Sequence, residues 1–204
     1  MPTTLQDAVD FLQQGGKNGV EIVAGATDWF PARGERPLCQ PILDITKIAE
    51  LQGIERTLQG WRFGAAVTWS DILTADLPNC FAGLKAAARE VGSVQIQNVA
   101  TLAGNLCNAS PAADGVPPLL TLDAAVEIAS LSGVRSVPLA EFVLGVRQTA
   151  LQPGEMVTAV TVPVLPMHVR EGVGCFIKIG ARKYLVISIT MVAALVAVAD
   201  GKIA

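Results

Sequence analysis

Thr101-Leu-Ala-Gly-Asn-Leu-Cys-Asn-Ala-Ser-Pro-Ala-Ala-Asp114 is the stretch on which the reading of this chain turns. It lies in a longer segment, Val91 to Ala113, that has no charged side chain yet is crowded with Gln, Asn, Ser, Thr and Gly. A core strand would not hold so many amides, and a surface loop ordinarily carries charge, so the composition predicts an ordered polar loop. A second stretch, Ile22-Val-Ala-Gly-Ala-Thr-Asp-Trp29, shares its design. In each, a small residue and a glycine follow a β-rich lead-in, with a hydroxyl or amide side chain close by. Small side chains let successive backbone N–H groups converge on an anion with no Cβ in the way. Two such turns brought together would hold a diphosphate mostly through amides, with little need for Lys or Arg. The plainer alternative is that these glycines only serve tight turns. Neither stretch is G-x-G-x-x-G, and no G-x-x-x-x-G-K-[ST] occurs, so the Rossmann and P-loop readings fail.

Working outward, Thr4-Leu-Gln-Asp7 resembles a capping box with Asp in place of Glu. Leu5, Ala8, Val9 and Leu12 then share one helical face before Gly15-Gly16 stops the helix. Val20 to Ala24 and Pro41 to Ile45 read as buried strands, with parallel pairing expected. Arg62 to Val67 reads as a strand followed by a helix capped by Thr68 or Ser70, and Cys80 to Val91 reads as a helix ended by Gly92. After Pro117-Pro118 a short helix is expected near Leu119 to Leu122. Ala125 to Leu131, Val134 to Leu139, Met156 to Val162 and Cys175 to Ile179 supply further strands. The run Ile187 to Ala199 meets Asp200-Gly201, a hairpin signal, and the sequence then stops at Ala204. A second hairpin strand of three residues makes a poor ending, so the C-terminus reads as cut short inside a further β-domain.

Composition narrows the function. The 204 residues carry 15 Lys+Arg against 18 Asp+Glu, a net charge of −3, which argues against a nucleic-acid partner. Hydrophobic residues reach 51% and charged ones only 16%, against about 25% in an ordinary soluble domain, so part of the apolar surplus is expected to face partner subunits. No signal peptide opens the chain, and the longest uncharged run, Tyr184 to Ala199, is too short to span a membrane. A cytoplasmic location is expected. Cys39, Cys80, Cys107 and Cys175 are scattered, none in a C-x-x-C pair, and His168 is the single histidine. A zinc site or an iron–sulfur cluster held by this chain is therefore not expected.

Taken together, the A-G-x-T-D turn, the approach Val94-Gln-Ile-Gln-Asn-Val-Ala-Thr101, the TLAGNLCNASPAAD stretch, Ser136-Val-Pro-Leu139 with Glu141-Phe142, and Phe176-x-Lys178-x-x-x-Arg182 resemble the FAD-binding subunit of molybdenum hydroxylases. That family includes the flavoprotein subunits of xanthine dehydrogenase and carbon monoxide dehydrogenase. The motifs are separated, fall in the family's order and span essentially the whole chain.

The resemblance implies an α+β, two-subdomain FAD-binding fold of the vanillyl-alcohol oxidase type. Residues 1–58 would form a small parallel β/α subdomain and 59–170 a larger, mainly antiparallel sheet with helices, with 171–204 opening a truncated C-terminal flavoprotein domain. Ile22, Val23, Ala24, Gly25, Ala26, Thr27, Asp28 and Trp29 would wrap the pyrophosphate and ribityl region of FAD. Thr101, Leu102, Ala103, Gly104 and Asn105 would form the opposite amide cradle, Asp114 would hydrogen-bond a sugar part of the cofactor, Val91 and Val157 would make apolar contacts, and Lys178 would lie beside it. Each has a plainer alternative: Asp114 could cap the helix near Gly115, Asp28 could cap a turn, Val91 and Val157 could be plain core, and Lys178 could be a solvated strand residue. Two positions depart from the family pattern. Ala26 replaces a glycine, at a cost of roughly 1 kcal/mol if φ is positive there; Trp29 replaces a smaller aliphatic residue and could stack near the flavin or seal the pocket. The resemblance further implies an iron–sulfur subunit and a molybdopterin-binding subunit as partners, NAD or another electron acceptor, and xanthine or another N-heterocycle as substrate. The alternative is a non-redox nucleotide-binding or assembly module derived from the same family.

Overall fold

The computed structural model describes residues 1–15, 19–183, 185–199 and 202–203. In chain order the elements are α1 (Leu5–Gln14), β1 (Glu21–Val23), α2 (Trp29–Arg33), β2 (Ile42–Asp44), β3 (Ile54–Thr57), β4 (Gly60–Gly64), α3 (Trp69–Thr74), α4 (Ala82–Glu90), α5 (Val94–Gln97), α6 (Leu102–Asn108) and α7 (Val116–Leu120). They are followed by β5 (Ala125–Ser130), β6 (Gly133–Pro138), α8 (Leu139–Phe142), β7 (Val143–Gly145), β8 (Gln148–Thr149), β9 (Met156–Pro163), α9 (Met167–Arg170), β10 (Val173–Ile179), β11 (Thr190–Val196), β12 (Val198–Ala199) and β13 (Lys202–Ile203).

The N-terminal unit forms as its pattern predicts. Thr4 caps α1 by accepting the Asp7 N–H, and Ala8, Val9 and Leu12 form the buried stripe. β1 and β2 pair in parallel, with Ile22 opposite Leu43. The larger sheet has the order β3-β4-β9-β5-β6, all antiparallel. β9 sits at its centre and is buried along nearly its whole length, as its sequence MVTAVTVP allows. One polar cluster covers part of this strand: Thr158 is fully buried, its hydroxyl donates to Glu127 Oε1 at 2.7 Å, and Arg62 reaches the same oxygen at 3.0 Å. Each polar group in the cluster therefore has a partner, as burial demands. A single hydrophobic core runs from Ala8, Val9 and Leu43 of the N-terminal unit to Phe63, Phe142 and Val160 of the sheet unit.

Several expectations are redrawn. β3 falls within residues 1–58, yet it hydrogen-bonds to β4 and forms the edge of the five-stranded sheet, so residue 58 lies in the turn of a hairpin. The uncharged segment expected as an ordered loop contains two short helices, α5 and α6, each with a side-chain cap from Ser93 or Thr101. Its amides and hydroxyls serve helix ends and turns, for which composition alone gives no period. Of the two proposed caps for α3 it is Thr68 that serves, in a reciprocal box with Asp71. β12 and β13 pair antiparallel, while the turn expected at Asp200-Gly201 lies outside the described residues. β10 and β11 form a hairpin packed against α4.

Candidate functional site

The two glycine-bearing stretches are neighbours. Trp69 N–H donates to Ala100 O and Leu102 N–H to Val67 O, which lays residues 100–102 against the start of α3. Gly25 packs directly on this segment: a Cβ at that position would lie 1.9 Å from Val99 O and 2.9 Å from Ala100 N. Beside this contact a cavity of about 370 Å³ opens, within the range of small-molecule sites. Ile22, Val23, Ala24, Gly25, Ala26, Thr27, Asp28 and Trp29 form one wall; Thr101, Gly104 and Asn105 form the other, with Val91 at its edge.

The first wall is rich in unspent donors. Among the described residues, no acceptor takes the backbone N–H of Gly25, Ala26, Thr27 or Asp28. Such a run of free amides is a concavity suited to an anion, and the wall includes no Lys or Arg. Ala26 has φ 57°, so the methyl sits in the left-handed region where glycine is free of cost. Asp28 stands at the N-cap position of α2, but its side chain makes no capping hydrogen bond.

The second wall differs from the expected amide cradle. Thr101 caps α6: its Oγ1 accepts the Gly104 N–H at 3.0 Å, and its carbonyl accepts the Asn105 N–H at 3.1 Å. Three of the amides assigned to an anion are thus already spent, those of Gly104 and Asn105 at a helix start and that of Leu102 on Val67 O. Leu102 and Ala103 point into the core, at 0% and 3% exposure, and line nothing. What this wall offers the cavity is space, because Gly104 is exposed and has no side chain, together with the Asn105 side chain, whose Oδ1 accepts the Gly115 N–H at 3.2 Å.

Asp114, Val157 and Lys178 are not in the cavity wall. Val157 is a buried core residue of β9, opposite Ile128. Asp114 and Lys178 form an ion pair of 2.8 Å, both nearly buried, and Lys178 Nζ also donates to Glu90 O at 3.3 Å, next to Val91 of the cavity edge. Asp114 is therefore not the cap of α7, and Lys178 is not a solvated strand residue. Burial pushes the Asp114 carboxyl above the ordinary carboxylate range, further than the Lys178 ammonium draws it down. Among the described residues its buried Oδ1 has no hydrogen-bond partner. The cavity also takes in Ala32, Trp69, Ile96, Ala100, Cys107 and Asn108. Cys107 and Asn108 lie in the stretch that opened the sequence reading, and Ile96 and Ala100 in the approach to it; Trp69 carries no local signal and reaches the site through the pairing of residues 67–69 with 100–102.

No helix of the described residues is long and apolar enough to cross a membrane, and no group of three or more His, Cys, Asp or Glu among them is placed to hold a metal.

Comparison with known proteins gives the family of the chain. A family model described as the FAD binding domain in molybdopterin dehydrogenase matches residues 1–165. The glyceraldehyde dehydrogenase medium chain of Sulfolobus acidocaldarius is 35% identical over 164 residues, covering 79% of this chain and 58% of that protein. The nicotinate dehydrogenase FAD-subunit of Eubacterium barkeri is 34% identical over 195 residues, covering 92% of this chain and 64% of that one. The chain thus spans about three fifths of the length of these relatives. Among solved structures, reconstituted CO dehydrogenase from Oligotropha carboxidovorans superposes with a TM-score of 0.88 at 26% identity, over 99% of this chain and 70% of that one. A mixed helix–strand chain with this match belongs to the family of FAD-binding domains of molybdopterin dehydrogenases.

Proposed function

We propose that this chain is the FAD-holding part of a molybdenum-hydroxylase-type oxidoreductase, with the dinucleotide's diphosphate seated against the four free amides of Gly25 to Asp28. That row of unspent N–H groups, facing a cavity whose far wall is opened by Gly104, is the observation that carries the reading. The residues present fit such a ligand: the amides match a diphosphate, and the unpartnered Asp114 Oδ1 is an acceptor of the kind a sugar hydroxyl needs. FAD, when bound, supplies reversible transfer of one or two electrons; the protein supplies placement and electrostatics. On this reading residues 1–58 and 59–170 correspond to the two halves of a vanillyl-alcohol-oxidase-type fold, with 171–204 as a third segment.

The roles of the side chains follow from their positions. Gly25 brings the first wall against residues 99–100, and Gly104 leaves room opposite it. Val91 and Ile96 exclude water from the cavity edge. Lys178 neutralises Asp114 in a site too dry to hold a lone charge. We assign this chain electron transfer through the flavin rather than substrate chemistry. Electrons would arrive from an iron–sulfur subunit and a molybdopterin-binding subunit, and leave to NAD or another acceptor. The substrate, xanthine or another N-heterocycle, would be chosen in the molybdopterin subunit; the nicotinate-oxidising relative favours an N-heterocycle.

Purified chain should be yellow, or become so on incubation with FAD, with a flavin absorption that bleaches under dithionite. A colourless protein that takes up no added FAD would reject this function in favour of a non-redox module.

A further inference from the structure

The cavity's outer wall is an indole. Trp29 borders both the main cavity and a second one of about 450 Å³, lined by Glu21, Arg33, Arg36 and Cys39 among others. Three contacts fix its ring. Nε1–H donates to Glu21 Oε2 at 2.5 Å; the Arg33 guanidinium lies over the ring, 5.0 Å from its centroid; and Phe30 meets it edge-on with centroids 4.9 Å apart. Arg33 is itself held, by Glu21 at 3.3 Å and by Pro37 O. Arg33 lines only the second cavity whereas Trp29 lines both, so the indole stands between the two. A half-buried indole that is held by a cation, has its N–H satisfied and borders a ligand cavity is preorganised for stacking. Holding the ring before the ligand arrives lowers the ordering cost of binding.

Resting on the FAD reading above, the geometry points to Trp29 as the aromatic platform on which one planar ring of the bound dinucleotide stacks, with Arg33 and Glu21 as the residues that position it. That ring is either the adenine or the isoalloxazine, and the two are separable. The cofactor-free chain and its Trp29→Phe and Trp29→Ala variants are titrated with FAD, ADP and FMN. Circular dichroism and thermal unfolding confirm that each variant is folded. Base–aromatic stacking predicts that Trp29→Ala weakens FAD roughly 10-fold or more, equivalent to about 1.4 kcal/mol, while Trp29→Phe stays within about 3-fold. The same loss should appear for ADP alone if adenine stacks, or for FMN alone if the isoalloxazine does. In the second case the emission of bound flavin also rises when the indole is removed. Equal FAD affinity in the wild type and in both variants would overturn the platform while leaving the cofactor assignment standing. A wild-type chain that binds none of the three ligands would overturn both.

Discussion

Replacing Gly25 by Ala tests the contact on which the site is built. The added Cβ would lie 1.9 Å from Val99 O, 2.4 Å from Val99 C and 2.9 Å from Ala100 N. All three are backbone atoms, so no side-chain rotation relieves the clash. Because real Cβ atoms essentially never approach within 3.0 Å of such atoms, the two walls must part by more than an ångström. Overpacking of this kind costs about 1–3 kcal/mol. For a chain of 204 residues, 2 kcal/mol corresponds to roughly 4–8 °C in Tm. The binding loss should be larger in proportion, because the displaced segment carries the free amides. A misplacement of about 1 Å can cost on the order of 100-fold. The assay is paired: thermal unfolding of the ligand-free chain, and FAD affinity by flavin fluorescence. Gly53→Ala is the control. Its φ is 77° with nothing within 4 Å of the added Cβ, so it should lose about 1 kcal/mol from backbone strain alone and keep its FAD affinity. A Gly25→Ala chain with unchanged Tm and FAD affinity within 3-fold of wild type would refute the close-approach argument.

Other substitutions separate the remaining contributions. Gly104→Val should fold, since the first atom of a new side chain meets only Thr101 Oγ1, at 2.9 Å, but its branches would enter the cavity; a folded protein that still binds FAD normally would remove Gly104 from the site. Ala26→Gly should raise Tm by about 1–3 °C, because relief of left-handed strain of about 1–2 kcal/mol exceeds the added unfolded-state entropy of about 0.5–1 kcal/mol. Lys178→Met should destabilise the chain by roughly 3–5 kcal/mol near neutral pH by stranding a buried carboxylate, whereas the Asp114→Asn, Lys178→Met double variant should recover most of that loss. The pH dependence has a definite sign. Because the folded-state pKa of Asp114 is raised, its contribution to stability is fully present below the unfolded value of 3.8 and is lost as pH rises through the higher folded value. Lys178→Met raises that value further, so its stability deficit should narrow as the solution is acidified from neutral toward pH 3.8; urea unfolding across that range reads this directly.

Much of the fold was legible because it is written in local periods. The α1 stripe of Ala8, Val9 and Leu12, the parallel pair around Ile22 and Leu43, and the apolar run of β9 each reflect a rule in which neighbours along the chain suffice. The family, too, could be read from separated motifs in order. β3 was missed because Ile54-Glu-Arg-Thr57 has one partly buried side chain and is a strand only by virtue of its pairing with β4. α5 and α6 were missed because helices of four and seven residues depend on caps and tertiary support rather than on propensity.

The site divides along the same line. By itself the sequence determined that Gly25 and Gly104 stand in charge-poor stretches and that Ala26 occupies a glycine's place, because charge and side-chain size are properties of single residues. Only the tertiary structure decided which amides remain free, since the Gly104 N–H is consumed by Thr101 and those of Gly25 to Asp28 are not. It also decided that Asp114 and Lys178, 64 residues apart, neutralise each other, and that Arg33 backs the ring of Trp29. A hydrogen bond or an ion pair is settled by distances of about 3 Å, and the chain sets those distances only once its core has closed.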